Sequence, residues 1–224
     1  MSALLRFDGC GYRYPGAAAP ALADLTLAVG GGEVVAVAGP VGAGTSTLLL
    51  VAGGYAPRLL GGTLEGTRVS EARRPAIVFA TPWTQVTGLF QSVRGEVAFG
   101  PASFALPRER VLALTAEALE RLGATHLAGR DPAGLSGGEL QRVIVAGALA
   151  MEPDLLLLDD PAAELDPAGA DALYGLLPRL AERGVAVLVA TPDLVRAARV
   201  ATRAVALREG RVVGDGPPAR VLLG

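Results

Sequence analysis

The sequence predicts an α/β fold in which a mostly parallel sheet carries a helical insertion. A short apolar strand from Glu33 to Ala38 runs into a glycine-rich loop, and a helix follows at 45–52. Beyond residue 150, strands and helices alternate, as in sheets whose parallel strands are joined by crossover helices. The 224 residues are 51% hydrophobic, which suffices for one sizeable core.

The other elements follow in chain order. Apolar runs predict strands at 4–14, 22–29, 63–69 and 75–79, and the early ones form an N-terminal antiparallel β subdomain. A helix opens at Pro107, because its apolar residues recur at three- and four-residue spacing: Val111, Leu112, Leu114, Leu119 and Leu122. Further helices are predicted at 139–150, after Gly137-Gly138, at 167–182 and at 193–200, and further strands at 154–158, 185–190, 203–207 and 211–213. We therefore expect a single domain over 1–224, with a core of about 1–85 and 137–224 and a helical subdomain of about 86–136.

Composition excludes several classes of protein. A net charge of −2 argues against a nucleic-acid partner, which usually meets a basic patch. The lone Cys10 excludes a disulfide framework and fits a reducing cytoplasm, where we expect it as a small residue of an early strand. No apolar run approaches the ~20 residues of a membrane span. The chain is thus expected in the cytoplasm, either soluble or peripheral through a partner, and His126 receives no role.

The glycine-rich loop at 39–46 has the spacing of a phosphate-binding loop without its lysine. The pattern G-x-x-x-x-G-K-[ST] is met at Gly39, Gly44 and Ser46, but the lysine position is Thr45. The chain contains no lysine, so all 20 of its Lys and Arg residues are arginines. A strand before the loop and a helix after it are the context that a phosphate site needs, because backbone N–H groups then point at the anion.

Three further motifs accompany this loop. Leu135-Ser136-Gly137-Gly138-Glu139 resembles the signature loop of ATP-binding-cassette (ABC) ATPases, the apolar run ending in Asp159-Asp160 resembles their Walker B strand, and Glu164-Leu165-Asp166-Pro167 resembles their D-loop. The order and spacing of all four motifs match that family over essentially the whole chain. The resemblance implies the ABC variant of the P-loop NTPase fold.

The resemblance also implies the ligands and their sites. ATP and Mg²⁺ are the expected cofactors, with Ser46 and Asp159 on the metal. The adenine of the nucleotide would stack on Tyr14, and Tyr12 is the second candidate for this stacking. The rest of the nucleotide would contact the loop residues Gly39, Gly42, Ala43, Gly44, Thr45, Ser46 and Thr47. In this family two ATPase domains pack head to tail. The signature would therefore contact the ATP bound by a second subunit, through Leu135, Ser136, Gly137, Gly138 and Glu139.

Four positions depart from the family pattern where hydrolysis is performed. They are Thr45 for the lysine, Ala80 for a glutamine, Asp160 for the glutamate general base and Pro192 for the switch histidine. Shortening the base by one methylene moves its oxygens by about 1 Å, a displacement that can cost about 10²-fold in rate. The side chain of Pro192 can neither donate nor accept a hydrogen bond. The sequence thus predicts a degenerate nucleotide site that leaves Asp160 as a weak base, beside an intact signature.

Softer motifs resemble the energy-coupling-factor branch, the ATPases of cobalt and vitamin uptake. They are Thr84–Gly88, Glu96–Pro101, the glutamate of the signature and Ala150–Pro153. The leading hypothesis is the degenerate ATPase subunit of such an importer, heterodimeric beneath membrane-embedded subunits on the inner face of the membrane. Two alternatives stay open, an active homodimeric ATPase of the same branch and a regulatory pseudo-ATPase outside transport. The few residues after Leu223 make dimerisation through a C-terminal extension doubtful.

Overall fold

The computed structural model describes residues 3–222, which form two compact units. The first unit comprises three parts of the described chain: the residues up to Ile77, Asp154–Asp160, and the residues from Tyr174 onward. The second comprises Val78–Pro153 and Pro161–Leu173. It contains the predicted helical segment 86–136 and extends beyond it on both sides.

A six-stranded sheet forms the centre of the first unit. Its strands are β3 (Val34–Ala38), β5 (Pro75–Val78), β6 (Leu155–Asp159), β7 (Ala186–Ala190), β8 (Arg203–Arg208) and β9 (Arg211–Gly216), in the order β5-β6-β7-β3-β8-β9. The strands β6, β7, β3 and β8 are parallel neighbours, and β9 returns antiparallel to β8. All residues of β3 and β7 are buried, as their continuous apolar runs require in a sheet covered on both faces.

A smaller antiparallel sheet completes the strands of this unit. It has the order β2-β1-β4, formed by β1 (Ala3–Arg13), β2 (Leu22–Gly30) and β4 (Thr63–Ser70). Cys10 lies buried in β1, as expected. The helices α1 (Thr45–Ala52), α6 (Leu194–Val200) and α7 (Pro218–Leu222) also belong to this unit.

The second unit is helical. It contains α2 (Val93–Ala102), α3 (Arg108–Arg121) and α4 (Gly137–Ala150), which pack on one another, and the first turns of α5 (Pro167–Glu182). Short 3-10 turns lie at Pro82–Gln85, Thr125–Leu127 and Pro132–Gly134. Over residues 3–222, no helix has both the length and the apolarity needed to cross a bilayer.

The predicted α/β fold is confirmed, with differences in detail. Helices α2 and α7 were not predicted, and β9 runs three residues beyond the predicted end at 213. Helix α4 begins at Gly137 because the Ser136 hydroxyl accepts from the Glu139 N–H while the Glu139 carboxylate accepts from the Ser136 N–H. The pattern Ser-x-x-Glu is a capping box and could have given this boundary from the sequence.

Candidate functional site

The glycine-rich loop lies between β3 and α1 at the carboxyl edge of the parallel sheet. Gly42 and Gly44 have φ of 83° and 98°, values that other residues rarely adopt. At Gly39 an added Cβ would lie 2.6 Å from the Leu207 carbonyl oxygen, so close packing also demands glycine there. Ala43 is buried, and its N–H donates to the Pro40 carbonyl over 2.9 Å. Ala43 therefore shapes the loop from within.

The Walker B strand brings its first carboxylate to the start of α1. The Ser46 hydroxyl donates to Asp159 Oδ1 over 3.0 Å, across 113 residues of sequence. Burial raises the pKa of Asp159 above its usual range, although the hydrogen bond from Ser46 opposes that shift. A hydroxyl and a carboxylate at this distance are hard oxygen donors that one Mg²⁺ could share.

Asp160 and Pro192 line the same cleft as the loop, a space of about 280 Å³. They are neighbours because β6 and β7 are adjacent parallel strands that end at Asp159 and Ala190. Asp160 has φ 42°, in the left-handed region, and its N–H donates to the Ala190 carbonyl over 2.7 Å. Burial raises the pKa of Asp160, and the negative charges of Asp159 and Asp193 raise it further.

A buried tyrosine that sequence reasoning missed fixes the segment after β7. The Tyr174 hydroxyl donates to Thr191 Oγ1 over 2.8 Å, and that oxygen also accepts from the Asp193 N–H over 3.0 Å. Burial raises the pKa of Tyr174 to about 12. Tyr174 therefore remains a neutral donor at physiological pH, and it orients the residues on either side of Pro192. No local motif in α5 signals this contact.

The two tyrosines that were candidates for stacking on adenine have different environments. Tyr12 is fully buried and donates its hydroxyl to the Gly61 carbonyl over 2.7 Å, so the fallback assignment of adenine stacking to Tyr12 is wrong. Tyr14 is half-buried at the end of β1 and meets Tyr12 edge to face, with ring centroids 4.9 Å apart. Its hydroxyl lies 3.2 Å from Thr47 Oγ1 in α1, which ties Tyr14 to the helix after the loop.

The signature lies in the second unit, at the N-terminus of α4. Leu135 is buried, and the capping box of Ser136 and Glu139 fixes the first turn. Arg130 Nη1 approaches Glu139 Oε1 to 2.7 Å and holds that carboxylate in the box. The D-loop packs on this turn, because a Cβ on Gly138 would lie 2.8 Å from the Glu164 carbonyl oxygen. Ala80 lies in the same unit, just after β5.

A glycine loop on a parallel sheet, a hydroxyl–carboxylate pair beside it and a capped signature helix together define an ATP-binding cassette. The sequence pattern of the ABC transporter family matches residues 22–163, and the chain belongs to this family. Over 94% of its length it is 36% identical to the energy-coupling factor transporter ATP-binding protein EcfA of Methanothermobacter thermautotrophicus, of which it covers 70%. Over 99% of its length it is 39% identical to the cobalt import ATP-binding protein CbiO of Rhodobacter capsulatus, of which it covers 81%.

A solved structure shows the same likeness in three dimensions. The structure of cbiO1 from Clostridium perfringens, described as part of the ABC transporter complex cbiONQ, superposes with a TM-score of 0.82 at 30% identity. The match covers 100% of this chain and 92% of that one. The resemblance to the energy-coupling-factor branch is therefore confirmed.

Proposed function

We propose that this chain is the catalytically degenerate ATP-binding subunit of an energy-coupling-factor importer, and that its signature completes the ATP site of a second subunit. The observation that carries the proposal is an asymmetry within one chain. The hydrolytic positions are Thr45, Ala80, Asp160 and Pro192, whereas the signature keeps its serine, both glycines and a complete capping box.

The phosphate loop still fits Mg-ATP. The positive φ of Gly42 and Gly44 lets backbone N–H groups face a phosphate chain, and the start of α1 adds its dipole. Ser46 and Asp159 would hold Mg²⁺, which takes its remaining ligands from water and phosphate oxygens. The bound metal would neutralise phosphate charge. Tyr14, tied to Thr47, would meet the adenine.

Hydrolysis at this site would be weak. Thr45 and Pro192 supply neither a cation nor a titratable group to the cleft that they line. Of the four positions, only the one occupied by Asp160 still has the functional group of the family residue. Its carboxylate is one methylene shorter than that of the family's glutamate base. Loss of one preorganised donor costs about 10²–10³ in rate, so three losses and a displaced base leave little catalysis.

The signature would act in trans. In the head-to-tail dimer of the family, the first N–H groups of α4 would meet the γ-phosphate held by the partner's loop. The helix N-terminus favours an anion there, and the capping box keeps the turn rigid. The partner's intact site would then perform the hydrolysis that drives transport.

Membrane-embedded subunits are the other proposed partners, and they would hold the chain at the inner face of the membrane. The second unit exposes large apolar side chains within one stretch of sequence: Trp83, Leu89, Phe99, Phe104 and Leu112. Where such side chains form one contiguous patch, they mark a protein contact surface. The names of the relatives, an energy-coupling factor transporter and a cobalt importer, support a vitamin or metal-ion importer.

Two substitutions in the co-purified complex test the assignment of roles. The three atoms nearest to a Cβ on Gly137 all belong to the flexible side chain of Glu164, which can give way, so we expect Gly137→Glu to fold while it places negative charge at the signature. We expect Gly137→Glu to abolish the ATPase activity of the complex and Ser46→Ala to leave it nearly unchanged. Size-exclusion chromatography confirms assembly of both variants. A damaging Ser46→Ala with a silent Gly137→Glu would reverse the roles, and damage from both substitutions would favour the active homodimer.

A further inference from the structure

The N-terminus of α4 keeps two backbone donors for an external acceptor. The first N–H groups of a helix have no partner within it. In α4 the capping box satisfies the N–H groups of Ser136 and Glu139. Gly137 and Gly138, between these two residues, therefore carry the donors that an approaching anion would meet.

Glu164 lies over both glycines. Its carbonyl oxygen is 2.8 Å from the place of a Cβ on Gly138, so the D-loop backbone is packed against that residue. A Cβ on Gly137 would overlap Glu164 Oε2, so the carboxylate lies beside Gly137, where a side chain of that residue would project. Glu164 is exposed, and only the end of its flexible side chain fills this space. The side chain can thus leave while the backbone stays in place.

Among residues 3–222, no ion pair neutralises the negative charge of Glu164. Arg130 is bound to Glu139, and Arg142 approaches Asp166 Oδ1 to 3.4 Å. In the part of the chain that the structure describes, no guanidinium lies within ion-pair distance of the Glu164 carboxylate. A carboxylate beside the first turn of a helix repels an anion that approaches the N-terminus of that helix.

We propose that Glu164 is an electrostatic gate on the signature. In the resting chain its carboxylate lies beside Gly137, and its negative charge repels the partner's γ-phosphate until the side chain turns away and the signature closes. Glu164 thereby lowers the affinity of the complex for ATP. This inference rests on the proposed function, because it requires the signature to serve the partner's site.

The test compares three forms of the co-purified complex by calorimetric titration with Mg²⁺ adenylyl-imidodiphosphate, which is not hydrolysed. Glu164→Gln keeps the shape of the side chain and removes its charge. Glu120→Gln is the matched control, an exposed glutamate on α3 of the same unit. We expect Glu164→Gln to bind about five- to tenfold more tightly than wild type, the scale of one like-charge contact near water. Glu120→Gln should bind like wild type.

Salt dependence separates a charge effect from a structural one. The Debye length falls from about 10 Å at 0.1 M salt to about 3 Å at 1 M. The difference in nucleotide affinity between Glu164→Gln and wild type should therefore shrink at high salt. The proposed gate is overturned if the affinity difference between Glu164→Gln and wild type persists at high salt, or if the two proteins bind equally tightly at low salt. If Gly137→Glu still weakens binding in the same assay, the proposed function survives that result. If Gly137→Glu is silent, the proposed function and the gate both fail.

Discussion

At residue 45 a threonine hydroxyl stands where the family places an ammonium group, so in the proposed site phosphate binding would depend on backbone N–H groups and on a metal held by Ser46 and Asp159. We expect Thr45→Lys to tighten the binding of Mg-ATP by about 1–3 kcal/mol, the range for a hydrogen bond to a charged group. Thr45→Met is the control for side-chain length without charge and should bind like wild type. Calorimetric titration measures both. Unchanged affinity in Thr45→Lys would mean that the loop does not face a nucleotide.

Cys10 gives a pH-dependent test of the antiparallel sheet. Its thiol donates to the Thr67 carbonyl over 2.9 Å, and burial raises its pKa above the usual range. The folded chain therefore keeps the thiol proton to a higher pH than the unfolded chain. The resulting stability is fully present below the unfolded pKa, about 8.5, and is lost as pH rises toward the folded pKa.

We expect the free energy of unfolding to fall more steeply between about pH 8 and 9.5 in wild type than in Cys10→Ser. The serine hydroxyl can still donate to Thr67, but it does not ionise in this range. Denaturant titrations at a series of pH values measure the two slopes. Parallel slopes would show that Cys10 keeps an ordinary pKa in the folded chain.

Among the elements, α4 depends most visibly on a single local device. Its first turn is held by the reciprocal hydrogen bonds of Ser136 and Glu139. We expect Ser136→Ala to lower the free energy of unfolding by about 1 kcal/mol, the usual cost of losing an N-cap. Ser103→Ala removes a serine just beyond α2 that caps no N-terminus, and it should change stability by less than about 0.5 kcal/mol. Equal losses in both variants would contradict the capping role.

At the scale of the whole molecule, the asymmetry between nucleotide site and signature implies that the isolated chain hydrolyses little ATP. We expect a turnover below about 1 s⁻¹, the lower end of ordinary enzymes, in a steady-state phosphate-release assay. Ser46→Ala should give the same background rate, because the proposed site, from which it would remove a metal ligand, is expected not to turn over. A wild-type rate above this limit that Ser46→Ala abolishes would instead support the active homodimer.

The sequence determined the fold class and the family, because both depend on local patterns. The apolar run before Gly39 and the spacing of Gly39, Gly44 and Ser46 predicted the strand, the loop and the helix. The order of the four motifs predicted the family. The capping box at 136–139 was also readable, and it would have placed the start of α4 at Gly137.

Only the tertiary structure decided which side chains meet across long stretches of sequence. It excluded Tyr12 as the residue that stacks on adenine, because the burial of a strand residue depends on which face of the sheet is covered. It placed Tyr174 on Thr191 and Glu164 over Gly137, contacts 17 and 27 residues apart that follow no periodic pattern. Such contacts arise from how strands and helices pack, whereas patterns along the chain report only local backbone preference and burial. The sequence thus showed where this chain departs from the motifs of its family, and the structure showed which carboxylate lies beside its signature.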